Sequence, residues 1–121
     1  MVYKKLKDEI YGADLMFFTS CSILEAQTKA NRVFRLNVEL EVEKSDEAVF
    51  FICTTVEGRE IYIIWANKNK DKALYINTIV HECTHLAYEV FKSRGIPNGY
   101  NNQEAFAYYI SYWVSRILSK K

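Results

Sequence analysis

Residues 78–90 of this 121-residue chain read TIVHECTHLAYEV, and they contain both of its histidines. Apolar residues recur at helical spacing through and around this stretch, which predicts an amphipathic helix over residues 73–94. We expect the helix to stop at Gly95, because glycine readily adopts the left-handed conformation that ends helices and Pro97 follows just beyond. The stretch therefore predicts a long helix whose apolar side must pack on a sheet.

A helical projection places the polar and apolar residues of this helix on different sides. One side carries both histidines with four further residues: Asn77, Thr78, His81, Thr84, His85 and Tyr88. The opposite side carries the apolar residues that we expect to contact the sheet: Ile76, Ile79, Val80, Cys83, Leu86, Ala87, Val90 and Phe91. The two histidines therefore point away from the core, unlike a histidine that fills a hydrophobic interior.

The spacing of the histidines predicts a metal site. Residues i and i+4 of a helix lie close together, so both imidazoles can reach one Zn²⁺ ion, which binds nitrogen at about 2.0–2.1 Å in tetrahedral geometry. Glu82 is rotated by about 100° from His81, so it flanks the ion without having to bind it. A glutamate there can accept a proton from water, whose pKa a bound zinc ion lowers to near 7.

A catalytic zinc site uses three protein ligands, and this chain has no third histidine. Glu104 is the candidate, 19 residues after His85 in the stretch NNQEAFAY of residues 101–108. The loop between them contains glycine and proline residues that can reverse the chain. A second helix, capped by Asn101 or Asn102 and running to about residue 118, can then lie beside the first.

Two alternatives concern this third ligand. Glu104 could instead complete a capping box with Asn101, which would satisfy backbone donors at the start of the second helix. Glu89, four residues after His85, is a weaker ligand candidate because its own helix would have to bend. The projection of the second helix favours Glu104, which shares a stripe of mostly small residues that would permit close contact between the helices: Glu104, Ala107, Tyr108, Ser111 and Ser115.

The first half of the chain predicts a sheet. Residues 13–19 suit a short strand and residues 22–32 a helix capped by Ser20 or Ser22, with Glu25 in its first turn. Strand-like segments follow at 33–43, 48–56 and 60–66, and Glu57-Gly58-Arg59 suits a hairpin turn between the last two. Strands first and helices last predict an α+β fold, with a small, largely antiparallel sheet packed against the HExxH helix and a C-terminal helix, in one domain over residues 1–121.

Composition limits the classes of partner. Sixteen basic and fifteen acidic residues give a formal charge of +1, so no overall field attracts nucleic acid or an anionic membrane. The lysines near the N-terminus, Lys4, Lys5 and Lys7, are interpreted as solvated surface. No stretch approaches the roughly 20 apolar residues of a membrane span. Three cysteines without CxxC spacing favour a reducing, cytoplasmic setting.

HECTH followed by NNQEAFAY resembles the gluzincin branch of zinc metallopeptidases, which have HExxH and a downstream glutamate ligand. The resemblance covers about residues 60–115, and its specific part is four residues. It implies that His81, His85 and Glu104 hold zinc and that Glu82 is the general base and acid. The chain length and the order of a sheet and then two helices are also similar to minimal single-domain zincins and to small HExxH proteins of phages and prophages.

The sequence departs from the gluzincin pattern at Tyr108, where thermolysin-like enzymes have an aspartate that supports a histidine ligand. Orientation of the histidines must then come from elsewhere, such as a backbone carbonyl or Asn77. No further histidine is present to stabilise an oxyanion, so Tyr108, Tyr88 or Tyr100 would have to donate that hydrogen bond.

Two functions follow as expectations. The first is a zinc-dependent peptidase whose peptide substrate pairs along a sheet edge. The second is a zincin-like protein without peptidase activity, in which the metal or its site stabilises the fold and the protein binds a partner. Nucleic-acid binding is unsupported by the charge, and thiol chemistry is disfavoured because Cys83 falls on the apolar side of its helix.

Overall fold

A computed structural model describes residues 1–35, 47–68, 71–97 and 99–119 of the chain. Within them the chain forms four strands, three α-helices and one short 3-10 turn, which confirms the α+β class. In chain order these are β1 (Val2–Lys7), β2 (Asp14–Thr19), α1 (Ile23–Phe34), β3 (Ala48–Thr54), β4 (Glu60–Ala66), α2 (Lys72–Ser93), the turn Tyr100–Asn102 and α3 (Gln103–Leu118).

The four strands form one mixed sheet in the order β1-β2-β4-β3. β1 pairs with β2 and β3 pairs with β4 in antiparallel fashion, whereas β2 and β4 are parallel. After α1 the next described strand is β3, which runs opposite to β2, and the β3–β4 hairpin then reverses the chain so that β4 runs parallel to β2. The sheet is thus mixed, with antiparallel pairing at both of its sides.

The predicted strand over residues 33–43 is wrong at its start. Val33 and Phe34 are the last residues of α1, and Arg35 is its C-cap with a left-handed backbone at φ 54°. The rest of that predicted strand lies outside the described residues. At the other end of α1 the cap is as expected, because Ser22 Oγ accepts from the Glu25 backbone N–H at 3.1 Å and Glu25 Oε1 accepts from the Ser22 N–H at 3.0 Å.

Strand β1 was not anticipated, and Lys4 within it is not a solvated surface residue. The Lys4 Nζ donates to the backbone oxygens of Arg116 at 3.1 Å and Ile117 at 2.9 Å, and also to that of Ser119. These carbonyls end α3, where a cation interacts favourably with the helix dipole. Lys4 therefore ties the first strand to the last helix.

The sheet is covered on both faces. One face packs against α2 and α3 in a cluster that includes Leu15, Phe17, Tyr62 and Ile64. The other face packs against α1 in a cluster that includes Met16, Phe18, Ile61, Ile63 and Trp65. Burial on both faces explains why β2 and β4 are continuous apolar runs instead of alternating sequences.

Helix α2 starts and stops as its sequence indicates. Asp71 caps it, with its carboxylate accepting from the backbone N–H groups of Ala73 and Leu74 at 3.0 and 3.2 Å. Gly95 follows the helix with φ 68°, a conformation that glycine adopts without strain.

The start of α3 differs from the expectation. The Asn102 side chain donates to the Pro97 carbonyl at 2.7 Å, and α3 has no side-chain hydrogen bond at its N-cap. The predicted capping of α3 is therefore not observed.

Candidate metal centre

The two histidines of α2 lie side by side on an exposed part of the helix. The Nε2 atoms of His81 and His85 are 3.2 Å apart, and their ring centroids are 4.8 Å apart. Neither side chain is buried. Their orientation away from the core agrees with the helical projection, and the contact between the two Nε2 atoms meets the distance of a hydrogen bond.

Edge strand β3 contacts this pair. The ring of Phe50 lies nearly parallel to the His85 imidazole, at 13° between planes and 6.2 Å between centroids. Phe50 also stacks on Tyr62 of β4, at 14° and 6.0 Å, so the aromatic ring is held from the sheet side. The sequence offered no signal for Phe50, because its closeness to His85 depends on how α2 crosses the sheet.

A groove of about 330 Å³ runs beside the histidines, between the start of β3 and the first half of α2. It is lined by Glu47, Ala48, Asn77, Thr78, His81 and Glu82. Asn77, which the sequence suggested as a support for a histidine, lines this groove. The groove brings His81 and Glu82 together on one surface that a ligand can reach.

Glu82 is buried, with 7% of its surface exposed. Ile76 and Val80, which the helical projection placed on the apolar side that should be buried, are instead 43% and 38% exposed. The reason lies in α3, which contacts α2 near its C-terminal end, where the Phe91 and Phe106 rings are 5.5 Å apart between centroids. The first half of α2 is therefore uncovered on the α3 side.

Cys83 lies on the apolar side of α2, as predicted, and is fully buried. Burial, and to a smaller extent the charge of Glu82, raises the pKa of the Cys83 thiol to about 12. A thiol with so high a pKa carries almost no thiolate at neutral pH, and the thiolate is the reactive form. Cys83 therefore contributes packing to this helix, and its thiol is poorly suited to nucleophilic chemistry.

The structure does not bring Glu104 to the histidines. Glu104 is exposed in the first turn of α3. Among the residues that the structure describes, no three histidine, cysteine, aspartate or glutamate side chains are grouped to hold a metal ion. The stripe of mostly small residues on α3 was expected to contact α2, but aromatic residues make that contact instead. All five residues of the stripe are exposed: Glu104, Ala107, Tyr108, Ser111 and Ser115.

The three tyrosines proposed as oxyanion donors lie in different places. Tyr108 is 72% exposed and lines a separate cavity with Ile10 and Tyr11, on the β1–β2 side of α3. Tyr100 is 86% exposed in the 3-10 turn. Tyr88 is 48% exposed and lies on α2 itself, one turn after His85. Tyr88 is thus the one that shares an element with the histidines.

Comparison of the chain with protein-family models, with curated proteins and with solved structures found no match. A functional proposal for this chain therefore rests on the geometry of its own residues. Across the described ranges, none of the helices combines the length and the apolar character that crossing a membrane requires.

Proposed function

We propose that the chain is a zinc-dependent metallopeptidase with a zincin-like fold, in which His81 and His85 bind the metal. The observation that carries the proposal is the 3.2 Å distance between their Nε2 atoms. Two nitrogens bound tetrahedrally at about 2.0–2.1 Å from one Zn²⁺ ion are separated by roughly 3.3 Å. The separation of the two nitrogens therefore matches that of two ligands in a tetrahedral zinc site.

Glu104 is the proposed third ligand. Its side chain is exposed, so it can change rotamer without breaking a buried contact. Three protein ligands leave the fourth position of zinc open for chemistry, whereas two imidazoles alone hold it weakly. The proposal for the third ligand is tested separately from that for the histidine pair.

Zinc bound here would polarise a substrate carbonyl and make water more acidic. Glu82 lies next to His81 in sequence and lines the same groove. Its carboxylate would accept a proton from the attacking water and deliver it to the leaving amine of the peptide. Tyr88 is the better candidate for the oxyanion donor, because it lies on the same helix as the histidines, whereas Tyr108 lines another cavity.

The substrate is proposed to be a peptide that pairs with β3. Among the described strands, β3 pairs with β4 and has no partner on its other side. An extended peptide can add to such an edge through backbone hydrogen bonds. Ala48, at the start of β3, lines the groove with His81 and Glu82, so a peptide along this edge would reach both side chains.

A second candidate is a zincin-like protein without peptidase activity that binds a partner protein, as in a phage or prophage setting. It is favoured by one observation, which is that no third ligand joins the histidine pair among the described residues. In this case the histidines hold a metal weakly, or none, and Glu82 has no role in hydrolysis.

The test is to measure zinc content and peptide-library cleavage for the wild type, Glu82→Gln and Glu9→Gln. Glu9 is an exposed carboxylate outside the candidate site, and the same substitution there serves as the control. The peptidase proposal expects about one zinc per chain in all three proteins, and loss of cleavage by at least about 100-fold in Glu82→Gln alone. Bound zinc without any Glu82-dependent cleavage would favour the partner-binding candidate, and no zinc binding would refute the metal site.

A further inference from the structure

We propose that a second cavity, on the α1 face of the sheet, binds the phosphate group of a small phosphomonoester. This cavity has a volume of about 300 Å³ and lies between β1, the end of α1 and the β3–β4 hairpin. Phe34, at its base, belongs to the core cluster on the opposite side of the sheet from the histidines. The proposal is therefore independent of the zinc site.

Three cationic side chains line the cavity, and each comes from a different element. Lys5 belongs to β1, Arg35 is the C-cap of α1, and Arg59 lies in the turn that joins β3 to β4. Because these residues are distant in sequence, their convergence is a product of the tertiary fold. Like charges brought together repel, and a bound anion relieves that repulsion.

Phe34 holds two of these cations in place. The Lys5 Nζ lies 5.2 Å from the centroid of the Phe34 ring, and the Arg59 guanidinium carbon lies 5.8 Å from the same centroid. Phe34 is itself 5% exposed, so its position is fixed by the core. Contact with an aromatic ring orders a cation without neutralising it.

The hairpin turn fixes Arg59. The Thr55 hydroxyl oxygen, in a residue 6% exposed, accepts from the Arg59 backbone N–H at 3.0 Å. The distance between Arg59 Nε and Asp14 Oδ2 is 3.7 Å. Solvent screens this ion pair, because the Arg59 side chain is 54% exposed. The planar guanidinium also carries two terminal nitrogens, whose geometry suits the oxygens of a phosphate.

The charge of the lining matches a phosphate monoester. Glu57 is the one carboxylate among the lining residues, against Lys5, Arg35 and Arg59. The pKa of Glu57 is lowered by hydrogen bonds with its own backbone N–H and the Thr55 hydroxyl and by the charges of both arginines, so Glu57 is ionised at neutral pH. The lining residues alone carry an excess of two positive charges, and Asp14, outside the lining, offsets part of it through its contact with Arg59. Because attraction to a positive site grows with the charge of the ligand, a phosphate monoester, which carries about −1.5 to −2 at pH 7, is favoured over a carboxylate, which carries one charge.

The test is an NMR titration of the ¹⁵N-labelled full chain with inorganic phosphate, phenyl phosphate and acetate at constant ionic strength. Saturable shifts at the amides of Lys5, Phe34 and Arg59 are expected with both phosphates. Lys5→Gln and Arg59→Gln should each weaken binding by about tenfold or more. Glu57→Gln should strengthen it, since the substitution removes a like charge next to the ligand.

The matched control is Lys29→Gln. The Lys29 Nζ lies 4.7 Å from the centroid of the Tyr3 ring, in the same kind of contact as Lys5 with Phe34 but outside the cavity. This variant should bind phosphate as the wild type does. Acetate binding as tightly as phosphate would overturn the assignment to a phosphate group. The site would be overturned by chemical shifts that do not saturate, or by equal phosphate affinities in the Lys5, Arg59 and Glu57 variants. A loss of binding could come from a variant that folds poorly, but the tighter binding expected of Glu57→Gln could not.

Discussion

The imidazole of His85 lies parallel to the ring of Phe50, with 13° between the planes and 6.2 Å between the centroids. The edge strand of the sheet thereby positions a side chain of the HExxH helix. In many zinc sites a hydrogen-bonded carboxylate orients the histidine ligand. Here an aromatic stack occupies one face of the ring, and it leaves the Nε2 atom directed towards His81.

This stack predicts that Phe50→Leu weakens zinc binding about three- to tenfold, since such ring pairs contribute about 0.5–1.5 kcal/mol. The measurement is competition with a chelator of known zinc affinity. Phe51→Leu is the control, because Phe51 packs in the cluster on the other face of the sheet and loses a ring of the same size. Equal zinc affinity in the two variants would show that the stack does not position His85.

Replacing the proposed third ligand predicts a larger effect. Loss of a supporting residue around a metal costs 10- to 100-fold in affinity, so Glu104→Ala should weaken zinc binding by at least about 100-fold. Its exposure means that the free energy of unfolding without metal should change little, which denaturation in chelator checks. Glu89→Ala is the companion variant, since Glu89 was the weaker candidate. Zinc affinity lost in Glu89→Ala and kept in Glu104→Ala would exchange their roles.

A buried carboxylate outside both proposed sites predicts a pH effect on stability. Asp8 has no exposed surface, accepts from the backbone N–H groups of Gly12 and Ala13 at 3.0 Å, and accepts from the Tyr109 hydroxyl at 2.6 Å. Burial alone would raise the pKa of Asp8, but hydrogen bonds from Tyr109 and the backbone of residues 11–13 outweigh it and hold the pKa below the usual 3.8. The ionised form is therefore favoured by folding.

A carboxyl whose pKa is lower in the folded state stabilises the protein above its unfolded pKa, and this contribution is lost as pH falls through the folded pKa. Asp8→Asn should therefore cost about 1–3 kcal/mol at pH 7. The difference from the wild type should shrink below about pH 4. Urea denaturation at several pH values measures it, with the exposed neighbour Glu9→Gln as control. A difference that stays constant from pH 7 to pH 2 would contradict the role of the Asp8 charge.

The link between β1 and α3 gives a further prediction. Lys4→Gln should lower the free energy of unfolding by about 0.3–1 kcal/mol, because it removes the cation that caps the last carbonyls of α3. The loss should decrease in 1 M salt, which screens the interaction between the charge and the helix end. Lys7→Gln serves as the control. The Lys7 backbone oxygen accepts a hydrogen bond from Arg116, which the substitution leaves in place, and the Lys7 side chain is exposed. Equal losses in the two variants would argue against capping by Lys4.

Much of the fold was predictable because it depends on local pattern. The prediction of α2 from its apolar periodicity is confirmed, and so are those of β2 and β4 from their apolar runs. The hairpin between β3 and β4 was likewise predicted correctly from its turn residues. Capping of α1 by Ser22 and the stop of α2 before Gly95 likewise follow from single residue types.

The errors about burial share a physical cause, which is that burial depends on what covers a surface. Val80 suits a core position by its spacing, but α3 does not extend over it, and it is exposed. Glu82 suits a polar surface, but it lies on the side of α2 that faces β3 and the groove, and it is buried. The predicted stripe of small residues on α3 faces solvent because Phe106 and Tyr109 provide the contact with Phe91.

The sequence by itself determined that His81 and His85 share one side of a helix, because residues four apart in a 3.6-residue repeat must do so. The tertiary structure decided what surrounds them: Phe50 stacked on His85, Glu82 buried beside the groove, and Glu104 apart from the pair. It also decided that Lys5, Arg35 and Arg59 converge on one cavity. Helical spacing is a local property of the chain, whereas these contacts join elements whose relative placement depends on the packing of the whole sheet against its helices.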